Sequence, residues 1–445
     1  MSEKTTELNP ALFDFHGKPK AQEIVPLGSQ HVVAAIVGVV TPALLVAGTC
    51  ELSPADRTIL VQVSLIFTAL ATLLQLFPIA RLGSGLPVIM GTSFAYVPTL
   101  LAIGGQFDLP TIFGAQIVGG AVTVLFGIFV KRLRVFFPPI VTGTVIFTIG
   151  LSLYSTAVRY MAGGVAAQAA GDFGGPKHWF VAIVTLLVVI ICNNFTKGIT
   201  KLAGILIGMV VGYVVALCMG MVSFEAVGAA TWFQFIPPMH FGVKFVPSAC
   251  ISMAIMFAVN AVQTIGDLTS TTLGGMDREP TTKELSGGIV AQGAASIVGA
   301  LFGGLPTASY SQNVGIVTVN RVVNRLVFTF AAIVLLVAGF IPKFASILTT
   351  IPQAVIGGAT VSVFAMIAMT GIRMITSTGL TPRTVTVVGL AVALGVGVTS
   401  VQGSLGGFPT WVGTVFGSSS VVIATLAAII LNLTLPKEQT LSEKK

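Results

Sequence analysis

The sequence predicts an all-α polytopic membrane protein, on three observations. Of its 445 residues 54% are hydrophobic and only 9% charged, where a soluble domain carries roughly 25% charged. Apolar runs of about 20 residues, the length that crosses the hydrocarbon, recur from near residue 29 to near residue 433. The polar stretches between them are short, which leaves no room for a separate soluble domain.

About fourteen such runs are expected, beginning near Ser29, Leu60, Pro87, Ile112, Phe136, Phe180, Ala203, Ser248, Gly288, Thr307, Leu326, Pro352, Val385 and Val412. Ahead of them, residues 1–28 carry Glu3, Lys4, Glu7, Asp14, Lys18, Lys20 and Glu23 without a basic-then-apolar signal pattern, so this tail is expected to stay in the cytoplasm. With an even number of spans the C-terminal tail, 435–445, lies on the same side. That topology puts 18 of the 23 basic residues inside and leaves Arg57, Arg159, Lys177, Lys244 and Lys343 outside, as the positive-inside rule demands. The net charge of +8 is therefore topogenic, and nucleic acid is not an expected partner. Cys50, Cys192, Cys218 and Cys250 are scattered, without metal-ligand spacing. They read as small apolar fillers, and no metal or cofactor is expected.

Two segments resemble each other across the chain: GLPVIMGTSFAYV from Gly85 and GLPTASYSQNVGIV from Gly304, 219 residues apart. Each enters with Gly and Pro and turns polar, at Gly91-Thr92-Ser93 and at Ser309-Tyr310-Ser311-Gln312-Asn313. Neither is expected to form a continuous helix. Irregular backbone at membrane depth is tolerated only where protein or a watery cavity satisfies it, and matching interruptions in two halves point to a transporter site. Seven spans per half is an odd number, so the two repeats have opposite orientation. The plainer reading is that Gly and Pro permit close helix packing; Ser, Gln and Asn beside them argue against it.

In NAVQTIGDLTSTT, residues 260–272, the side chains of Asn260, Gln263, Thr264, Asp267 and Thr271 recur at spacings of three and four, which puts them on one helix face. Asp267 is the one acidic residue expected deep within a span. A buried ionisable group there is a functional-site hypothesis by default; a helix–helix clasp is the alternative. Asp277, Arg278 and Glu279 follow as a solvated charge cluster.

SQNVGIVTVNR, Ser311 to Arg321, resembles the signature of the nucleobase-ascorbate transporter family. Gln312, Asn313, Gly315 and Arg321 fit, and Asn320 replaces the family threonine. LGSQHVVAAIVGVVTPALL, which carries His31, FPPIVTGTVIFTIGLSL and IPQAVIGGATVSVFAMIAMTGIR resemble spans one, five and twelve of bacterial xanthine permeases, so the resemblance covers essentially the whole transmembrane chain. It implies fourteen transmembrane segments in two inverted seven-span repeats, with short strands in spans 3 and 10 that cross near the midplane. It also implies a core domain, residues 29–134 and 248–343, moving against a gate domain, 135–247 and 344–434, commonly in a homodimer. By the same resemblance the backbone around Phe94 and Ser311 hydrogen-bonds a flat nucleobase, with Ser93 beside them. Phe94 also packs on the ring, Gln312 reads a polar edge, and Asn313 braces the strand.

Two departures matter. The family usually has Glu where Gln263 stands, and many relatives have a carboxylate where Gln292 stands. A carboxylate only accepts hydrogen bonds, whereas glutamine donates and accepts, so Gln263 suits a base edge that does both, and the lost negative charge eases binding of an anionic oxopurine. If a proton is still carried, Asp267 is the remaining membrane carboxylate. His31, with a reference pKa near physiological pH, is either its helper or a structural hydrogen bonder.

The expected function is secondary-active import of an oxopurine such as xanthine or uric acid, with a possible co-transported proton. The alternatives are a uniporter, a carrier of uracil or ascorbate, and a non-transporting receptor built on the same pocket. The chain has no P-loop, no HExxH and no Ser/His/Asp constellation, and an enzyme is not expected.

Overall fold

A computed structural model describes residues 9–133, 137–377, 379–401, 403–417 and 419–436. The ends of both expected tails (1–8 and 437–445), Arg134 and the expected start of span five at Phe136 lie outside the described residues. The long helices are α1 (Ala21–Thr49), α2 (Pro54–Leu76), α4 (Leu109–Ile128), α5 (Pro139–Met161), α6 (Pro176–Phe195), α8 (Pro247–Met276), α9 (Thr282–Phe302), α13 (Gln353–Ser377) and α14 (Pro382–Ser400). Among the described residues these nine are long and apolar enough to cross a membrane. A tenth crossing arises if α11 (Arg325–Gly339) and α12 (Pro342–Thr349), bent by 83° at their junction, count as one. The helices α7 (Gly204–Cys218) and α15 (Ser420–Thr434) are apolar but only 15 residues each. The run expected from Val412 is interrupted before Ser420, where the longer helix begins.

Near Pro87 and Thr307 the chain forms no long helix. Strand β1 (Met90–Thr92) leads through a short 3-10 turn into α3 (Val97–Gln106), and strand β2 (Thr307–Ser309) leads into α10 (Ser311–Asn320). The strands pair antiparallel, Met90 with Ser309, Gly91 with Ala308 and Thr92 with Thr307. Gly and Pro at the entrances disfavour helix, and strand pairing together with side chains such as Thr72, Ser296 and Tyr310 satisfies backbone groups that the missing helix would have satisfied. All six strand residues are buried.

Around this two-stranded ribbon pack α1, α2, α4, α8, α9 and α11, while α5, α6, α7, α13, α14 and α15 pack mainly on one another. Close approach is bought with small residues, as is usual where helices associate without a hydrophobic driving force. Where α4 crosses α9, a Cβ on Gly120 would stand 2.9 Å from the Gly293 carbonyl, and one on Gly293 2.6 Å from that of Gly120. Before α1, residues 9–17 fold back onto the turn between α10 and α11. There Asn324 Nδ2, fully buried, lies 2.9 Å from each of the carbonyl oxygens of Ala11, Asp14 and Gly17, which share its two hydrogens.

Candidate functional site

The ribbon and the middle of α8 meet at a set of amides and hydroxyls. α8 starts with Pro247, whose missing N–H is no loss in a first turn. Its 3.6-residue period brings Asn260, Thr264, Asp267 and Thr271 to one buried face, with Gln263 half-buried at its side. Asp267 is the one buried Asp or Glu among the described residues. Both of its oxygens are engaged: Ser309 Oγ donates to Oδ2 at 2.5 Å and Ser311 Oγ to Oδ1 at 2.8 Å. The carboxylate therefore ties the end of β2 and the first turn of α10 to α8.

A second knot lies one turn earlier. Gln292, fully buried on α9, donates from Nε2 to Asn260 Oδ1 at 2.6 Å and to Tyr96 OH at 3.2 Å, and its Oε1 accepts from Thr264 Oγ1 at 2.7 Å. Tyr96 OH also donates to Asn260 Oδ1 at 3.1 Å. Ser309 Oγ lies 3.3 Å from Thr264 Oγ1, so the two knots form one network. Its single hydroxyl hydrogen has two acceptors, and Asp267 is the nearer. Asn260 Nδ2 donates to Gln263 Oε1 at 3.3 Å, and Gln263 Nε2 donates to no group among the described residues.

The ribbon is held from behind. Thr72 Oγ1 accepts from the Met90 N–H at 3.0 Å, and Tyr310 OH donates to the Thr92 carbonyl at 2.5 Å. Gly91 admits no side chain, since a Cβ there would sit 2.7 Å from Thr68 Oγ1 and 2.8 Å from Tyr310 OH. Ser93 Oγ caps the short turn after β1 by accepting from the Ala95 N–H at 3.2 Å. Phe94, buried, meets Phe364 of α13 edge-on with ring centroids 5.6 Å apart.

Of the residues expected at a site, Gln263, Gln292, Asp267 and Ser311 join this network. Ser93 and Phe94 lie on the turn that follows β1. Gln312 is exposed on the first turn of α10. Asn313 reaches α1 rather than the strand, with Nδ2 donating to His31 Nδ1 at 3.0 Å and to the His31 carbonyl at 3.1 Å. His31, 2% exposed and packed on Phe328, thus sits in a helix–helix contact apart from Asp267. Tyr96 was not singled out by sequence, and Ser309 only as part of the polar stretch of the second interrupted segment. A tyrosine and a serine in otherwise apolar, interrupted spans were the available signals.

A cap at the far end of this body also matters. Residues 236–246 are fastened by His240 Nε2 to Asp56 Oδ1 at 3.0 Å and by Lys244 Nζ to Asp108 Oδ2 at 3.1 Å. Burial pushes the Asp108 carboxyl up, but hydrogen bonds from Thr111 and Lys244 outweigh it and hold the group below its usual value.

Residues 22–404 match the model of a permease family. The chain belongs to this family, that of the nucleobase-ascorbate transporters. The permease is 33% identical to a putative purine permease of Clostridium perfringens, over 99% of this chain and 96% of that one. To the xanthine permease of Bacillus subtilis it is 34% identical over 92% of each, and to the uric acid permease PucJ of the same organism 33% over 94% and 93%. Among solved structures it is similar to the transmembrane domain of the cyanobacterial bicarbonate transporter BicA (TM-score 0.60, 15% identity, 93% and 98% covered). The murine anion transporter Slc26a9 in its inward-facing state is similar too (TM-score 0.63, 10% identity, 95% and 70% covered). At those identities the likeness is one of fold. The permease is a multi-pass membrane transporter and not an enzyme.

Proposed function

We propose that the permease imports an oxopurine nucleobase, xanthine or uric acid, by secondary-active transport across the bacterial inner membrane. The observation that carries this is the meeting of two interrupted segments at a ribbon beside amides and hydroxyls, in a chain whose relatives are named for these substrates. A planar heterocycle with alternating N–H and C=O groups suits strand ends, amide side chains and an aromatic face. In this reading Gln263 Nε2, the backbone at Phe94 and Ser311, and Gln312 contact the base, with Ser93 and Asn313 in support. Asp267 and Gln292 hold the surrounding frame.

The antiparallel strands agree with two inverted repeats of seven spans, fourteen crossings in all, if β1–α3 and β2–α10 each count as one. On that count residues 29–134 and 248–343 form a core and 135–247 and 344–434 a gate. The core moves like an elevator past the gate in a homodimer, with both termini cytoplasmic. Proton coupling would run through Asp267, whose partner Ser311 is exposed. Facilitated diffusion is the second reading, favoured by amides at Gln263 and Gln292.

Uptake of labelled xanthine into proteoliposomes at two pH gradients, with urate, uracil and ascorbate as competitors, tests this reading. Gradient-stimulated, urate-sensitive uptake is expected. Gradient-indifferent uptake selects facilitation, and saturable binding without counterflow of labelled base would make the protein a receptor.

A further inference from the structure

Away from the polar network, a cavity of about 170 Å³ opens between α1, α7 and the C-terminal end of α12. Its walls are Ile36 and Val40 of α1, Met209 and Tyr213 of α7, and Ile347 and Ile351 of the α12 end. The one polar group among them, Tyr213 OH, is already bonded to Thr350 Oγ1 at 2.7 Å. No handhold is left for a polar ligand, and an apolar cavity of this size stays dry.

Depth and opening say what fills it. Ile36 and Val40 stand at the middle of the 29-residue α1, the level at which a spanning helix is surrounded by hydrocarbon. Val210 and Ile347, also lining the cavity, are 54% and 44% exposed, so the cavity opens sideways rather than toward either aqueous face. We infer that this groove is a binding site for one acyl chain of a membrane phospholipid. A methylene chain matches an all-apolar slot entered from the bilayer, and it removes the loss of dispersion contacts that an empty slot imposes. α1 and α7 also touch directly, Val37 and Met209 sharing one apolar cluster, so the bound chain fills the notch beside that contact. The inference uses the membrane setting of the permease and no assignment of its substrate.

The test is photolabelling of the full chain in vesicles of phosphatidylcholine and phosphatidylglycerol that carry a diazirine midway along one acyl chain. Leu187 and Ile190 of α6, 52% and 40% exposed, are the internal comparison. Labelling of residues 206–213 and 347–351 is expected to exceed that of α6 by roughly tenfold, the ratio that a site preference of about 1.4 kcal/mol produces. Equal labelling means ordinary surrounding lipid and overturns the inference. Val40→Phe and Met209→Phe, each placing a ring in the slot, should lower groove labelling while leaving α6 unchanged; groove labelling unaltered in both folded variants overturns it as well. So does disulfide formation between copies of Val210→Cys with no groove labelling, which would give the slot to a second copy of the chain.

Discussion

Ser309 Oγ lies 2.5 Å from Asp267 Oδ2, so the last residue of a three-residue strand is fixed to the C-terminal half of a 30-residue helix. With Ser311 on the other oxygen, Asp267 has no lone oxygen directed at open space, and its first task is to hold the broken segment in place. Hydrogen bonds to a charged group contribute about 1.5–3 kcal/mol each. Ser309→Ala should therefore lower unfolding stability by that order and reduce uptake. Asp267→Ala, which strands both hydroxyls, should cost more than Asp267→Asn, which keeps an acceptor. Chemical unfolding and uptake on the same preparations check the order; equal losses in Ala and Asn would mean that charge rather than geometry matters.

Neither N–H of Gln263 Nε2 has a partner among the described residues. Gln263→Ala should weaken base binding by roughly 1–3 kcal/mol through a lost buried hydrogen bond. Gln263→Glu should disfavour an anionic oxopurine relative to a neutral one by about tenfold or more, since like charges a few ångströms apart repel. Competition binding at two pH values that bracket the ligand's own ionisation reads both effects.

Gly91→Ala should abolish uptake by pushing the ribbon away from Thr68 and Tyr310. Two of the three atoms nearest the added methyl belong to Thr68, so adding Thr68→Ala should restore part of the activity. Absence of any rescue would place the strain elsewhere.

The cap over residues 236–246 should loosen in acid. Asp108 titrates below its unfolded value near 3.9 because Thr111 and Lys244 overcome the effect of burial. Its contribution is thus fully present above that value and is lost as pH falls through the lower folded one. Both partners are well exposed, which keeps the effect well under about 1 kcal/mol. Amide exchange across 236–246, corrected for intrinsic rate, should stay level in the parent chain down to about pH 4 and rise as pH falls below that. In Asp108→Asn it should be already high at pH 6.

The membrane class, the permease family and the two interrupted segments were legible in the sequence because each is local. Hydropathy is a sum along the chain, and the shared face of Asn260, Thr264 and Asp267 follows from helical period alone. Partnerships between segments were not legible. Nothing in spacing joins Gln292 to Tyr96 or Asp267 to Ser309, because those meetings depend on where helices cross. Asn313, expected to brace the strand, bonds instead to His31, where α10 runs alongside α1. The motif glycine, Gly315, meets open space in this structure, and steric need does not account for it.

The seat of residues 9–17 carries a consequence for biogenesis. Their carbonyls are gathered by Asn324, more than 300 positions later, so this stretch, made ahead of α1, reaches its resting place only after most of the spans have been made. Until Asn324 is made the stretch lacks this anchor, and α11 to α15 are still to follow when it docks.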